Sequence, residues 1–109
     1  MAEDAKNRIL EAAFEEFALK GRAGARMQAI ADRAGINKAM LNYYFISKSQ
    51  LYAEVIKEKI DEYSNYVLSK VENITDPHEF FRTFTQAHNI VLQSHPKWIR
   101  LLMLNYLDG

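Results

Sequence analysis

One stretch of this chain constrains its fold more than any other, and it runs from Arg26 to Leu51 as RMQAIADRAGINKAMLNYYFISKSQL. Its pattern predicts a short helix over about 27–33, a turn at Ala34-Gly35-Ile36, where glycine can take a positive φ, and another short helix over 37–44. Asn37 is a good N-cap for that second short helix. Two short helices across a tight turn are the arrangement that puts the second one into the major groove of DNA. The stretch therefore predicts sequence-specific DNA binding.

The residues on both sides of this stretch also have helical patterns. A first helix is predicted over about 4–20, with Gly21 as its stop and the GRAGA segment, 21–25, as a loop. Its apolar residues recur at helical spacing and are Ile9, Leu10, Ala13, Phe14 and Phe17. Ser47 and Gln50 have the spacing of a capping box, which begins a long helix. That helix has one broad apolar face, formed by Leu51, Val55, Ile56, Ile60, Tyr63, Val67 and Val71.

The C-terminal third continues the pattern. Asp76 followed by Pro77 predicts the start of a fifth helix. Its apolar face is formed by Phe80, Phe81, Phe84, Ala87, Val91 and Leu92. Pro96 marks a further break, and the segment after it, 98–107, is apolar on nearly all sides, which predicts burial in a larger bundle. No strand pattern is evident, so the predicted fold class is all-α.

Composition narrows the class of protein. A length of 109 residues suits one ordinary domain, or one small domain with part of another. The sequence has no cysteine, so a disulfide framework and a thiolate metal site are excluded. No apolar run approaches the ~20 residues needed to span a bilayer, and the charged N-terminus lacks the apolar region of a signal peptide. These features indicate a cytoplasmic protein without a membrane partner.

The charge of the chain is unevenly distributed although its formal net value is zero. Residues 1–50 carry eight Lys and Arg against six Asp and Glu, whereas residues 51–109 carry six against eight. Between Arg26 and Lys48 there are four basic side chains and one acidic one. A local positive patch on a neutral body is a modest form of the electrostatic surface of a DNA-binding protein. A solvated charged face is the equally open alternative.

These residues resemble the tetracycline-repressor (TetR) family of bacterial transcription regulators. The resemblance covers about residues 6–55 and rests on four pieces at the family's spacing, RILEAAFEEFALKG, IADRAGI, MLNYYF and SKSQL. It implies an N-terminal three-helix helix-turn-helix domain at 1–47, and over 48–109 a long connecting helix with the first helices of a ligand-binding and dimerisation bundle. It also implies a homodimer that binds a double-stranded DNA operator and releases it when a small-molecule effector binds. Since family members are near twice this length, we expect the chain to be part of a longer protein with further helices after residue 109. The alternative is that partner chains cover the apolar segment 98–107.

The resemblance implies DNA contacts residue by residue. The groove-facing side of the second short helix, the recognition helix, would carry Lys38, Ala39, Asn42 and Tyr43. Lys38 would reach guanine or a phosphate, Ala39 a thymine methyl, and Tyr43 sugar, base or phosphate. Asn42 stands where the family more usually has tyrosine, and an asparagine can pair bidentately with adenine.

The remaining candidates are expected at the DNA backbone. Arg26 follows Ala25, where the family often has a hydroxyl residue, and would supply a charged phosphate contact in its place. Tyr44 and Lys48 are expected to contact the backbone as well. A lysine has the wrong sign for a helix start, which makes sense beside a phosphate. Asn37 belongs to the same set, although capping is its favoured role.

Each of these assignments has a structural alternative. Phe45 and Leu41 are expected in the core, and for Tyr44 core and DNA contact are equally open. For Tyr43, DNA contact is favoured over a position in the core. Arg33, at the far end of the supporting helix, is expected to form a surface ion pair rather than to contact DNA.

An effector pocket could draw on the apolar segments 80–92 and 98–107, with contributions from Phe84, His88, Trp98 and Tyr106; bundle core is the alternative for each. His88 and His95 are seven residues apart, but Pro96 follows and no third ligand falls at a suitable spacing, so no metal site is predicted. There is no nucleophile motif and no glycine-rich phosphate loop, so we expect neither catalysis nor a cofactor.

The sequence thus predicts a TetR-like transcriptional regulator, taken as a repressor, that reads a near-palindromic operator through residues 37–44. The first alternative is a helical protein–protein interaction module that uses the face from Arg26 to Lys48 without binding DNA; the zero net charge supports it. A carrier of small ligands built on the apolar helices is a third possibility.

Overall fold

The computed structural model describes residues 2–108, and over them the chain forms α-helices and no strand. The helices are α1 (Ala2–Gly24), α2 (Met27–Ala34), α3 (Lys38–Tyr44), α4 (Lys48–Val71), α5 (Pro77–Ser94) and α6 (Pro96–Asp108). The predicted all-α fold class is confirmed. None of the described helices combines the length and the apolar character needed to cross a membrane.

Three helices begin where their capping residues predict. The Oδ1 atom of Asn37 accepts a hydrogen bond from the backbone N–H of Met40 at 2.7 Å, which starts α3. The hydroxyl of Ser47 accepts one from the N–H of Gln50 at 3.1 Å, which starts α4. In α5 the Asp76 carboxylate does the same, with Pro77 in the first turn. Each side chain satisfies an N–H that has no partner inside its own helix.

Both predicted glycine breaks are present, but the first one is shorter than expected. Gly35 has a φ of 74° and ends α2 in the left-handed conformation, as the turn requires. Gly21 has φ 74° and ψ 172°, which interrupts α1 after residue 20. Residues 22–24 then return to helical form, and the N–H of Ala25 donates to the carbonyl of Gly21 at 3.1 Å. The prediction of a loop throughout 21–25 is therefore wrong over 22–24.

The core lies where α1, α2, α3 and the first turns of α4 meet. Its largest fully buried side chains include Phe17, Ile30, Leu41, Phe45 and Leu51. The predicted core positions of Leu41 and Phe45 are confirmed. This packing fixes the orientation of α3, because Leu41 and Phe45 anchor one side of that short helix and its C-cap.

The helix α6 packs against α1, and Leu101 reaches the same core with no exposed surface. Within the described residues, segment 98–107 is covered on one side only, since Met103, Tyr106 and Leu107 are exposed, and its burial in a larger bundle stays a prediction. The helix touches the rest of the chain along one side, so only that side loses contact with water.

The fifth helix shows the same one-sided burial. Ala87 and Val91 are buried against the neighbouring helices, whereas the other members of its predicted apolar face are exposed: Phe80, Phe81, Phe84 and Leu92. On α4 the predicted face is buried at Leu51, Val55, Val67 and Val71, but Ile60 is exposed. The spacing identified the apolar stripe correctly, and the described residues cover only part of it.

The buried charge of Lys59 was not predicted from the sequence. Lys59 lies in the buried side of α4 with 3% of its surface exposed. Its Nζ atom is 3.5 Å from carboxylate oxygens of Glu11 and Glu62 and 4.3 Å from the centre of the Phe14 ring. The aliphatic stem of the lysine fills apolar space while its ammonium reaches half-exposed acidic groups. This side chain joins α1 and α4 on the side of the molecule where Trp98 of α6 also packs.

Candidate nucleic-acid interface

The recognition helix α3 presents four of the predicted DNA-binding residues on its solvent side. Lys38, Ala39, Asn42 and Tyr43 are all exposed, and Leu41 on the opposite side is fully buried. Lys38 and Asn42 are four residues apart, as are Ala39 and Tyr43, so the four side chains form one patch on the helix surface. Tyr43 projects furthest, with 82% of its surface exposed.

Tyr44 lies between this exposed patch and the core. Its side chain is half-buried and packs against the core. Its ring meets the ring of Tyr43 edge to face, with 5.4 Å between centroids and 87° between planes. The structure thus shows core packing for Tyr44, whereas its contact with the DNA backbone stays a prediction.

A basic groove lies beside α3. We use this name for the open cavity of about 510 Å³ lined by Ala23, Gly24, Ala25, Arg26, Met27, Gln28, Lys38 and Lys48. It brings three predicted DNA-binding residues together from three different elements, because Arg26 precedes α2, Lys38 begins α3 and Lys48 begins α4. Three cations that line one groove create a positive potential there, which favours an anionic partner.

The start of α2 opens into this groove without a side-chain cap. Arg26 occupies the N-cap position, and its side chain makes no capping hydrogen bond. No acidic residue lies in the first turn of α2 or of α4, whereas α5 has Glu79 there. The N–H groups at a helix start carry partial positive charge and favour anions. Neither α2 nor α4 therefore has an acidic side chain in its first turn that would compete with an anion bound in the groove.

Lys48 has a contact that sequence reasoning did not anticipate. Its Nζ donates hydrogen bonds to the backbone carbonyl of Ala25 at 3.0 Å and to that of Ala23 at 3.4 Å. The ammonium therefore ties the start of α4 to the segment before α2. A lysine has three N–H donors, so these two bonds leave a third for another acceptor.

Two exposed residues of the helix-turn-helix region were not identified from the sequence, and only the first of them lines the basic groove. Gln28 lines the basic groove, and its amide donates to Asp32 one turn later at 2.9 Å. Ile46 lies between α3 and α4 with 84% of its surface exposed. An apolar residue directly after a buried Phe45 and before a capping serine is the only sequence signal that could have identified it.

Asn37 and Arg33 take the structural roles that the sequence favoured for them. The acceptor oxygen of Asn37 is engaged in the cap of α3. The guanidinium of Arg33 donates from Nε and Nη2 to Oε1 of Glu16 at 3.2 and 3.0 Å. The predicted ion pair of Arg33 is confirmed, and its partner belongs to α1.

The four residues considered for an effector pocket are not brought together. Phe84 and His88 line a cavity of about 380 Å³ between α4 and α5, where the His88 ring contacts Phe84 and Tyr63 at centroid distances of 4.3 and 5.3 Å. Trp98 instead stacks on His95 at 3.9 Å and packs against the N-terminal core. Tyr106 is 80% exposed and does not line that cavity. Nowhere among the described side chains of residues 4–108 do three or more His, Asp or Glu residues gather in a way that could hold a metal ion.

Known proteins share this arrangement. Residues 9–55 match the family described as bacterial regulatory proteins, tetR family. Over 103 residues the chain is 30% identical to the HTH-type transcriptional activator FasR of Mycolicibacterium smegmatis. This match covers 94% of this chain and 47% of FasR. Over 58 residues it is 45% identical to the HTH-type transcriptional repressor SCO4008 of Streptomyces coelicolor, covering 53% of this chain and 30% of that protein.

A solved structure agrees with the sequence relatives. SCO4942 of Streptomyces coelicolor superposes on the chain with a TM-score of 0.83 at 30% identity, covering 95% of this chain and 54% of that one. The chain therefore spans about half the length of FasR and of SCO4942. The family match and the fold both include the helices that build the basic groove and the exposed patch of α3.

Proposed function

We propose that this chain, which matches the tetR family of bacterial regulatory proteins over residues 9–55, is a transcriptional regulator of that family and binds an operator in double-stranded DNA. The observation that carries the proposal is the exposed patch of α3 beside the basic groove. A protein of this kind acts where the bacterial chromosome lies, in the cytoplasm, and performs no catalysis. SCO4008 is named a repressor and FasR an activator; we propose repression, because SCO4008 is 45% identical over the 58 residues it matches, whereas FasR is 30% identical over 103.

The exposed patch of α3 is proposed to read bases. Asn42 is an exposed member of this patch and can donate to and accept from the edge of adenine in the major groove. Lys38 can reach the acceptors of guanine, and the small Ala39 leaves room for a thymine methyl group. Tyr43, which is the most exposed of the four, is proposed to pack on a sugar or a base.

The basic groove is proposed to hold a backbone phosphate. Arg26 would contact it from the N-cap of α2, together with the N–H groups of the first turn. Lys48 would add its remaining N–H donor from the start of α4. Tyr44 is proposed to act as a backbone contact through the edge that its half-burial leaves exposed.

A dimer is part of the proposal. Two copies that present α3 about one DNA turn apart, ~34–36 Å, would match the two halves of a near-palindromic operator. We propose that residues 1–47 form the DNA-binding unit and that 48–109 belong to the part that dimerises and binds a small-molecule effector. We propose the cavity beside Phe84 and His88 as the site of that effector within the described residues; Trp98 and Tyr106 would need other chain segments to join it.

The first experiment is a selection of bound fragments from sheared genomic DNA of the source bacterium at moderate salt. Enrichment of a short palindrome is the expected result. A folded dimer that enriches nothing above background would refute the proposal. For that reason the oligomeric state of the protein is measured in the same buffer.

A pair of variants then separates base reading from phosphate contact. Asn42→Ala should weaken binding to the enriched site by about 1–3 kcal/mol and relax the preference at one base position. Arg26→Ala should weaken binding to all sequences alike and reduce the slope of log K against log salt by about one. Binding is measured by titration against the site and against point variants of it. An Asn42→Ala chain with unchanged affinity and preference would show that α3 meets DNA through another face.

The competing function is a protein–protein interaction module on the same surface. The zero net charge and the exposed apolar side chains of Tyr43 and Ile46 favour it. Salt separates the two functions, because binding through several phosphates collapses between low and moderate salt, whereas a packed protein interface changes far less. The affinity of any complex formed by this surface is therefore measured at several salt concentrations before the partner is assigned to DNA or to protein.

A further inference from the structure

The kinked end of α1 and the residues that lead from it into α2 are held by two cations from distant parts of the chain. We call residues 18–26 the α1–α2 connection. Gly21 has a φ of 74°, which lies in the left-handed region. Glycine adopts this conformation readily and other residues resist it. Carbonyl groups in the last turn of a helix lack donors within the helix. The residues just before Gly21 therefore need hydrogen-bond donors from elsewhere.

Arg100 of α6 supplies such donors. Its Nε donates to the carbonyl oxygen of Ala18, and its Nη2 donates to that of Leu19 at 3.3 Å. These bonds join residues more than eighty positions apart in the sequence. The guanidinium suits this task because its planar fork donates to two neighbouring acceptors at once.

Lys48 holds the other end of the same connection. It donates to the carbonyls of Ala23 and Ala25, so α6 fixes the residues before Gly21 and α4 fixes the residues after it. Arg26 comes next and is the N-cap of α2. The direction in which α2 and Arg26 face the basic groove is therefore set by two sets of charge-assisted hydrogen bonds across a glycine.

We propose that Arg100 is a positioning residue for DNA binding, which rests on the proposed function. It lies outside the basic groove, since the groove is lined from 23–28, Lys38 and Lys48. Without its two bonds, the connection can vary about Gly21, and the start of α2 loses its fixed place relative to α3. Both helices must meet one DNA duplex at the same time, so this variation weakens binding without changing which bases are read. Through Arg100, the placement of α6 on α1 controls the affinity of the DNA-binding face.

Three variants of the full chain test this role. Arg100→Ala removes both donors, Arg100→Lys keeps the charge and one donor group, and Lys97→Ala is the matched control. Lys97 is on the same helix and carries the same charge, but its ammonium pairs with the side chain of Glu15 instead of the backbone of the connection. The DNA probe is the genomic fragment that the wild-type chain enriches most strongly.

Arg100→Ala should raise the Kd for this probe about tenfold while base preference and salt slope stay unchanged. Arg100→Lys should fall between Arg100→Ala and wild type, and Lys97→Ala should stay within about twofold of wild type. Equal losses in Arg100→Ala and Lys97→Ala would reduce the effect to net charge and overturn the proposal. An Arg100→Ala chain that binds like wild type would overturn it as well.

Amide hydrogen exchange supplies a readout that does not depend on DNA. In Arg100→Ala the N–H of Ala25, which is bonded to Gly21, should exchange faster, whereas amides at the centre of α4 should keep their protection. Uniformly faster exchange would show general destabilisation, and unchanged exchange would show that Arg100 does not hold the connection; either result overturns the proposal. Should Arg100→Ala not fold, Arg100→Lys carries the same measurements. A wild-type chain that binds no fragment refutes the proposed function instead, and the exchange result still decides what Arg100 holds.

Discussion

Glu16 is a carboxylate on the buried side of α1, and its partners offset the cost of removing it from water. Its Oε1 accepts two hydrogen bonds from Arg33, and its Oε2 lies 3.2 Å from Nζ of Lys20. Burial raises the pKa of this carboxyl, but the bonds and charges of Arg33 and Lys20 outweigh that effect. The pKa of Glu16 therefore lies below its usual value of 4.5. The folded chain thus holds this carboxylate in its charged form.

Replacing this carboxylate should make stability depend less on pH. Glu16→Gln should lower the free energy of unfolding near neutral pH by about 1–3 kcal/mol, because the amide is a weaker partner for two cations. A carboxyl with a depressed pKa stabilises the fold above its unfolded pKa, and this contribution is lost as the pH falls through the folded pKa. The advantage of the wild type over Glu16→Gln should therefore shrink as the pH falls below 4.5.

Urea unfolding of both chains at a series of pH values measures this difference. Glu15→Gln is the matched control: its partner Lys97 is largely exposed, so the variant should lose well under the Glu16 value. A stability difference between wild type and Glu16→Gln that persists unchanged into acid would mean that packing, and not charge, is what the variant removes.

Single residues were predictable from the sequence to different degrees. Arg33 was assigned to an ion pair, but its partner Glu16 was not, because that contact depends on how α2 crosses α1. Lys59 was not predicted at all. A periodic pattern counts lysine as polar, whereas the structure buries this side chain with its Nζ atom over the Phe14 ring and 3.5 Å from a carboxylate oxygen of Glu11. Charge alone does not say whether the long stem of a lysine is covered.

At the level of helices, the cap of α3 separates stability from DNA contact. Asn37→Ala removes the acceptor for the N–H of Met40 and should lower the free energy of unfolding by about 1 kcal/mol. Asn37→Asp keeps the acceptor and should leave stability near wild type, since both residues are good N-caps. The added negative charge, at the end of α3 that borders the basic groove, should weaken DNA binding to all sequences.

Thermal unfolding and titration of the enriched DNA fragment measure the two properties separately. The double comparison matters because a single alanine variant could lose affinity through a frayed helix. If Asn37→Asp bound DNA as tightly as the wild type, the start of α3 would lie away from the phosphates, and the proposed docking of the recognition helix would need to be revised.

Helix boundaries were predictable because capping is local. Asn37, Ser47 and Asp76 each bond an N–H three residues later, so the sequence contains both partners of the cap. The burial of α5 and α6 was not predictable in the same way. An apolar stripe shows which side of a helix would be covered, but the partner that covers it lies elsewhere in sequence or on another chain. The exposed Phe81 and Leu107 illustrate this difference. The basic groove combines both cases, since its cations were identified from sequence while their convergence and the bonds of Lys48 required the fold.

For the whole molecule, the central question is whether the DNA-binding helices are stable without α6. The proposed division at residue 47 would predict two separable units. However, Leu101 of α6 is fully buried in the same core as Phe17, Leu41 and Phe45. Arg100, the next residue back along α6, bonds the carbonyls at the end of α1. We therefore expect the described part of the chain to unfold as one cooperative unit.

Leu101→Ala tests this expectation. It should lower the free energy of unfolding by about 2–5 kcal/mol through lost burial and a residual cavity. The loss should appear in the fluorescence of Trp98, the only tryptophan of the chain, and equally in the exchange protection of α2 and α3, because both belong to one core. Leu107→Ala, on the same helix but 71% exposed, should change stability by less than about 0.5 kcal/mol.

The alternative result has a defined meaning for regulation. If Leu101→Ala loosened α6 while α2 and α3 kept their full protection, the helix-turn-helix unit would be stable alone, and α6 could influence DNA binding only through directed contacts such as that of Arg100. If both parts lose protection together, the energy of the DNA-binding face already includes the packing of α6. Anything that shifts α6 then alters DNA affinity by changing the stability of the whole unit. The Arg100 bonds transmit part of that change to the start of α2.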